Sequence, residues 1–414
     1  MSLQNGTRIQ LGTRLASAGE GTVHDVVGRP EWVAKIFHLD LKGLVAKREK
    51  VTAMTLAKPA GAVSRDGSIV LTWPQHLVLQ GGVVLGYVMH KVDTNTTVEI
   101  HSVSNPTDRR GPLPNQPQWP KRADWAFLLN TAANLCIAVE AAHRVGAVIG
   151  DFQERNILVS DTSRVTLVDC DSMQFTATSG RRYLCDVGRP EFTAPELRNV
   201  DLKRTPRSRS SDLFALAVHL HLLLMNGNHP FSRGVWTGPG EQPGASVLAA
   251  GGHWAGGPRS LLRTHRLAPP PSILPDPIQT LFAQAFTYGA ANPALRPSAR
   301  DWRQALRAIT IVTCRLNPIH RYPSHNQVCP WCVLEQAGAT RRSALRKQST
   351  FTPRPAPAAA TAQPRLLPPQ QAPLPPTLAL VLPSPSVVDQ RVAVPPASQP
   401  GWWQRLRAWW AQNF

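Results

Sequence analysis

The stretch Ile149-Gly150-Asp151-Phe152-Gln153-Glu154-Arg155-Asn156-Ile157-Leu158-Val159 decides the reading of this chain. Asp151 is followed five residues later by Asn156, and then by an apolar run suited to a strand. A second run, Arg164-Val165-Thr166-Leu167-Val168, ends in Asp169-Cys170-Asp171. A carboxylate, an amide and a further carboxylate at strand ends can supply one base and two metal-holding groups around a nucleotide. Upstream, Asp124 to Arg144 is apolar at helical spacing and delivers the chain into the Asp151 loop.

The N-terminal third reads as strands. Ala16-Ser17-Ala18-Gly19-Glu20-Gly21-Thr22-Val23 joins two extended runs, and its small residues would let backbone N–H groups approach phosphates. In Glu31-Trp32-Val33-Ala34-Lys35-Ile36-Phe37, alternation puts Val33 and Lys35 on one strand face. A Lys on an apolar inward face needs an anionic partner.

These pieces resemble the eukaryotic-like protein kinases of bacteria. The resemblance implies an α+β, two-lobed fold, with an N-lobe over about 1–92 and a C-lobe over about 93–312. It assigns Asp151 as the base, Asn156 and Asp169 to Mg²⁺ (or Mn²⁺), and Lys35 to the α/β-phosphates of ATP. Gly19 and Gly21 fall in the phosphate loop, where only Gly21 and Val23 match the family pattern. Glu49 is the best candidate for the helix Glu that partners Lys35. Gly86-Tyr87-Val88-Met89-His90-Lys91-Val92 resembles the hinge, with Met89 as gatekeeper and the backbones of His90 and Val92 against adenine. Val23, Val33 and Leu158 would sandwich the ring. Ala194-Pro195-Glu196 closes an activation segment starting at Asp169 that offers Ser172, Thr176, Thr178, Ser179 and Tyr183 for autophosphorylation. Arg296 would pair with Glu196, and Asp212 would pin the catalytic-loop backbone.

The chain also departs from the family. Ile149-Gly150-Asp151 stands where His-Arg-Asp is usual, Gln153 where a Lys follows the base, and Arg189 where a Thr is expected. Arg189 is therefore expected to reach into the site and supply the missing positive charge. Asp171 replaces a Gly and reads either as a third metal ligand or as a turn cap. The resemblance implies a kinase transferring the γ-phosphate to Ser or Thr of a protein substrate. Two rivals stand beside it: a non-catalytic scaffold that binds nucleotide and partners, and a small-molecule phosphotransferase.

Beyond residue 312, Cys314, His320, Cys329 and Cys332 offer a Cys₃His set for structural Zn²⁺, with His325 as an alternative ligand. Cys329-Pro330-Trp331-Cys332 also reads as a redox pair. A kinase domain followed by such a module at 313–335 resembles a bacterial group associated with tellurite-resistance-type systems. That likeness implies a PP2C-like phosphatase and a von Willebrand A-type protein as partners. Residues 336–400 are rich in Pro, Ala and Gln and are expected to form a disordered linker. Residues 401–414 carry paired Trp and Arg, suited to an amphipathic helix on a membrane surface or in a partner groove.

Composition sets the outer bounds. The chain has 414 residues, 42% of them apolar, enough for a packed core. Six Cys are too few for a disulfide scaffold, and no basic-then-apolar leader opens the sequence, so a cytoplasmic protein is expected. The net charge of +19 favours acidic partners or anionic surfaces. It is spread along the chain, however, and neither a dense Lys/Arg run nor a hairpin signature supports a nucleic-acid partner. The Pro/Gly-rich stretches 104–121 and 234–275 are expected to be surface loops.

Overall fold

The computed structural model describes residues 1–348. Six short strands come first: β1 (Ser2–Leu3), β2 (Leu11–Ala18), β3 (Gly21–Val26), β4 (Arg29–Phe37), β5 (His76–Gln80) and β6 (Val83–His90). They form one antiparallel sheet in the order β1-β5-β6-β4-β3-β2. Helix α1 (Leu44–Leu56) connects β4 to β5. The period-two pattern of β4 serves two different surfaces. Ala34 packs with Leu3, Val26, Val78 and Val88, while Val33 joins Ala16 and Val23 on the opposite face. Gly21 is required by the sheet itself, since a Cβ there would lie 2.2 Å from the Ile36 carbonyl oxygen.

The second lobe is mostly helical. Strand β7 (Thr97–Glu99) pairs with β8 (Ile157–Ser160), and β8 with β9 (Val165–Leu167), in a small antiparallel sheet at the lobe junction. Helix α2 (Trp125–Arg144) begins at Asp124, whose side chain accepts from the Phe127 N–H at 2.8 Å. It is long and apolar enough to cross a membrane, but 72% of its apolar window is buried inside the protein, so it serves as the core helix here. Helix α3 (Arg209–Leu224) packs on α2, as does α4 (Ala299–Arg307). Two His lie inside this core. His219 Nε2 bonds to the Phe152 carbonyl at 2.9 Å and His221 Nδ1 to the Asn228 carbonyl at 2.7 Å. Burial pushes their pKa values down to about 4 and about 3, so both are neutral near pH 7.

Two expectations need correction. The 234–275 stretch is not merely a surface loop. Trp254, 2% exposed, anchors it against Phe282 and Phe286, because a large aromatic ring recovers more apolar burial than a Pro/Gly-rich loop otherwise could. The linker also begins later than 336. Strands β10 (Ile311–Thr313) and β11 (Arg321–Pro323) pair, and helix α5 (Pro330–Gln348) continues across that boundary through a run of helix-favouring residues. The rest of the expected linker and the Trp-rich tail, 401–414, lie outside the described residues.

Candidate active site

A cavity of about 540 Å³ opens at the lobe junction. Gly19, Gly21, Val23, Val33 and Lys35 contribute its N-lobe wall. Met89, His90 and Val92 line the connection between lobes, and Asn156, Leu158, Asp169 and Arg189 line the floor. Val23 and Leu158, on opposite lobes, leave an apolar slot between them. Its size and mixed lining are those of a small-molecule site. Gly19 has no neighbour close enough to contact a Cβ, so its contribution is an open, small-residue loop.

The loop that carries Asp151 is held from behind. The Asp212 carboxylate, near the start of α3, accepts the backbone N–H of Ile149 at 2.7 Å and of Gly150 at 3.0 Å. His143 Nε2 also meets it at 2.9 Å. Asp151 is 8% exposed. Its Oδ2 accepts from Gln153 Nε2 at 2.6 Å and from Asn156 Nδ2 at 3.1 Å. Asn156 Nδ2 also reaches the Asp151 carbonyl at 2.9 Å, which locks the loop into one turn. Arg189, expected to reach into the site, lines the cavity but is not a donor to Asp151. Among the described residues, the donors on the Asp151 side chain are Gln153 and Asn156. Arg189 lies on the cavity wall within electrostatic reach of Glu99, Glu154 and Arg155. The physical reason is spacing: Gln153 sits two residues from Asp151 and its amide reaches the carboxylate first.

The missing Arg of the loop has a structural counterpart that sequence reading did not find. Arg207, 6% exposed, donates to the carbonyls of Gly150 at 2.7 Å and Cys185 at 3.2 Å, and also to that of Val187. It ties the catalytic loop to the segment before Arg189 with no phosphate involved. Gly150 is what this packing admits. Its φ is +71°, and a Cβ there would lie 2.8 Å from Cys185 Sγ. Further along, Arg296 forms a two-pronged pair with Glu196, both contacts 2.7 Å, and also donates to the carbonyls of Gly289 and Ser210.

One end of the cavity is charged. Asp169 sits at φ +56°, a left-handed conformation uncommon for a non-Gly residue, and lines the cavity with its side chain 40% exposed. Lys35 Nζ is 2.9 Å from Asp169 Oδ1 and 2.8 Å from Asp171 Oδ2. Burial alone would push the Lys35 pKa down, but Asp169 and Asp171 outweigh it and hold it well above the usual lysine range. The expected Glu49 partner is absent from this cluster. Glu49 pairs instead with Arg181 at 2.7 Å, both side chains being about half exposed. Helix geometry explains the miss. Lys47, Lys50, Val51 and Met54 share the inward face of α1, and Glu49 points about 160° away from Lys47. The i, i+3, i+4, i+7 spacing was the available signal. Asp171 lies within a single helical turn, Cys170–Ser172, rather than at its cap.

In the C-terminal module, Cys314, His320, Cys329 and Cys332 converge, their ligand atoms all within 4.8 Å of one another. His325 stands apart, facing the Ser272 carbonyl. The module is attached to the kinase-like body. Arg321 pairs with Asp124 at 3.2 Å, Trp331 packs at a tilt against Trp125, and Asn326 donates to the Ile273 carbonyl.

A two-lobed α+β body with its cleft at this junction is consistent with the protein-kinase-like class. The chain is 31% identical over 353 residues to protein kinase YegI of Escherichia coli K12, covering 80% of this chain and 50% of that protein. The YegI of a second Escherichia coli strain is 32% identical over 346 residues with the same coverage. The serine/threonine-protein kinase PknK of Mycobacterium bovis is 31% identical over 116 residues, 28% of this chain and 9% of that protein. The chain thus spans half the length of its YegI relatives. No family model matches it. The likeness supports a bacterial protein kinase.

Proposed function

We propose that the protein transfers the γ-phosphate of ATP to Ser or Thr of a protein substrate. The observation that carries this reading is the convergence of Lys35, Asn156 and Asp169 on one interlobe cavity, with Asp151 hydrogen-bonded to Asn156 at its edge. Residues Asn156 and Asp169 present an amide and a carboxylate oxygen to the cavity, the hard donors that Mg²⁺ takes. Bound there, Mg²⁺ would neutralise charge on the phosphates. Lys35 adds positive charge on the same wall. Asp151 accepts or orients the proton of the attacking hydroxyl, while Gln153 and Asn156 hold its carboxylate in place. The names of the YegI and PknK relatives support the same activity. The Glu196–Arg296 pair favours a protein acceptor, because it fixes the end of the segment against which a peptide would lie.

The test is transfer of labelled γ-phosphate to the protein itself and to a generic acceptor. Both Asp151→Ala and Asp169→Ala should lower the rate about 10²–10⁴-fold. Nucleotide binding with no transfer by the wild type would move the reading to a scaffold. Transfer confined to small acceptors would move it to a small-molecule phosphotransferase.

We also infer that the Cys₃His cluster holds structural Zn²⁺. Tetrahedral Zn–S bonds of about 2.3 Å put thiolates about 3.8 Å apart. Cys314 and Cys332 Sγ are separated by 3.7 Å, and His320 Nδ1 is 3.4 and 3.6 Å from Cys332 and Cys329. Elemental analysis should find one zinc per chain, lost in Cys332→Ser together with a drop in thermal midpoint. A zinc-free protein with a Cys329–Cys332 disulfide would support the redox reading instead.

A further inference from the structure

The buried charges behind the phosphate wall are arranged opposite to the pattern that the kinase resemblance implies. That pattern has a helix carboxylate holding the strand Lys. Here helix α1 points an ammonium group inward. Lys47 Nζ lies 3.1 Å from Asp171 Oδ2, 3.3 Å from the Asp171 carbonyl and 2.6 Å from Glu20 Oε2. The carboxylate facing Lys35 comes instead from Asp171, whose side chain is fully buried and whose two oxygens lie 2.9 and 2.8 Å from Lys35 Nζ. Asp171 therefore bridges two lysines from two elements of the N-lobe, β4 and α1. Both oxygens of this buried carboxylate are already engaged by ammonium groups.

Glu20 extends the argument to the cavity. It sits in the small-residue loop, lines the cavity, and is 42% exposed. Its Oε2 contacts Lys47 at 2.6 Å and Lys35 at 3.4 Å. One anionic oxygen is thus already bracketed by both ammonium groups at the phosphate end of the cavity. A phosphate oxygen is an anion of the same kind and can take that place once the loop side chain turns out.

Resting on the kinase reading above, we propose that Asp171 is the positioning residue for Lys35, and that Lys47 is a second cation of the nucleotide phosphate site. The two form a unit. The Lys on α1 makes the carboxylate at 171 tolerable, and that carboxylate replaces the one α1 lacks. Lys47→Met retains most of the buried stem and removes only the charge.

The experiment is calorimetric binding of ATP and of adenosine to the full chain, so the result stands whether or not transfer occurs. Lys47→Met should weaken ATP binding about tenfold or more, as loss of one partner from a desolvated charge contact does, with adenosine affinity retained. Asp171→Gly should weaken ATP binding similarly. Asp171→Asn keeps the shape and removes the charge, and should weaken ATP binding by a similar factor. Adenosine binding reports that the fold is intact in each variant. Wild-type ATP affinity in Lys47→Met would overturn the second-cation role. Wild-type ATP affinity in Asp171→Asn, with only the Mg²⁺ requirement raised, would overturn the positioning role in favour of a metal ligand. ATP that binds no tighter than adenosine to the wild type would overturn both. Normal binding effects without any transfer would overturn the kinase reading alone.

Discussion

The two sides of the cleft were assembled by different rules. On the C-lobe side, the expected partners meet: Asp212 takes the catalytic-loop amides and Arg296 takes Glu196. On the N-lobe side, the expected Lys35–Glu49 pair does not form, and Asp171 and Lys47 occupy its place. The difference lies in how each partner is presented. Arg296 is immobilised by two backbone carbonyls besides Glu196, and Asp212 lies on a helix buried on nearly every side. Such groups have one direction available. Helix α1 packs along one face only, so a rotation of the helix decides which charged residue looks inward.

The largest expected effect sharpens this contrast. Arg296→Ala leaves Glu196 and two carbonyls without their donor and should cost about 3 kcal/mol in chemical denaturation, in line with breaking a buried ion pair. Glu49→Ala removes only a half-exposed pair and should change stability by less than about 0.5 kcal/mol. Equal costs for the two would break the comparison.

A second prediction concerns the loop that Arg207 braces. Gly150→Ala introduces a Cβ against Cys185 at a positive φ and should cost about 1–2 kcal/mol of backbone strain, beside a loss of transfer as Asp151 shifts. Adding Cys185→Ala should recover the steric part and leave the conformational part. Full stability in Gly150→Ala would show that the loop can move, and that Arg207 does not fix it.

A third prediction concerns a pH dependence in the C-lobe core. His219 and His221 are held neutral by burial, with pKa values near 4 and 3 against about 6.5 in the unfolded chain. Between those values the unfolded chain binds more protons. Their contribution is complete above about pH 6.5 and is lost as pH falls through that window toward 4. Denaturation midpoints measured from pH 7 to pH 4.5 should fall, and His219→Gln should flatten the slope. An unchanged slope in that variant would assign the acid sensitivity elsewhere.

Much of the site could be read from one dimension. Asp151, Asn156 and Asp169 were legible because a strand or a tight loop fixes each within a few residues of the next. Lys35 and Val33 were legible from strand alternation, Val23 from the family pattern, and the Cys₃His set from ligand type and spacing. Arg207 was not legible, because it acts across more than fifty residues through backbone carbonyls, which carry no sequence signature. The role of Glu20 was hidden for a related reason. A loop side chain takes its direction from whatever charge lies across the cleft.

Read through its resemblance to the protein kinases, the sequence by itself pointed to the two-lobed α+β plan, and its spacing to the order of the candidate site residues and candidate metal ligands. Local periodicity and short-range spacing are properties of the chain. Only the tertiary structure decided which charges pair. Asp171 meets Lys35 and Lys47, Gln153 rather than Arg189 meets Asp151, and Arg207 replaces the missing loop Arg. Partner choice among buried charges depends on helix rotation and on desolvation, and both are set when the lobes pack.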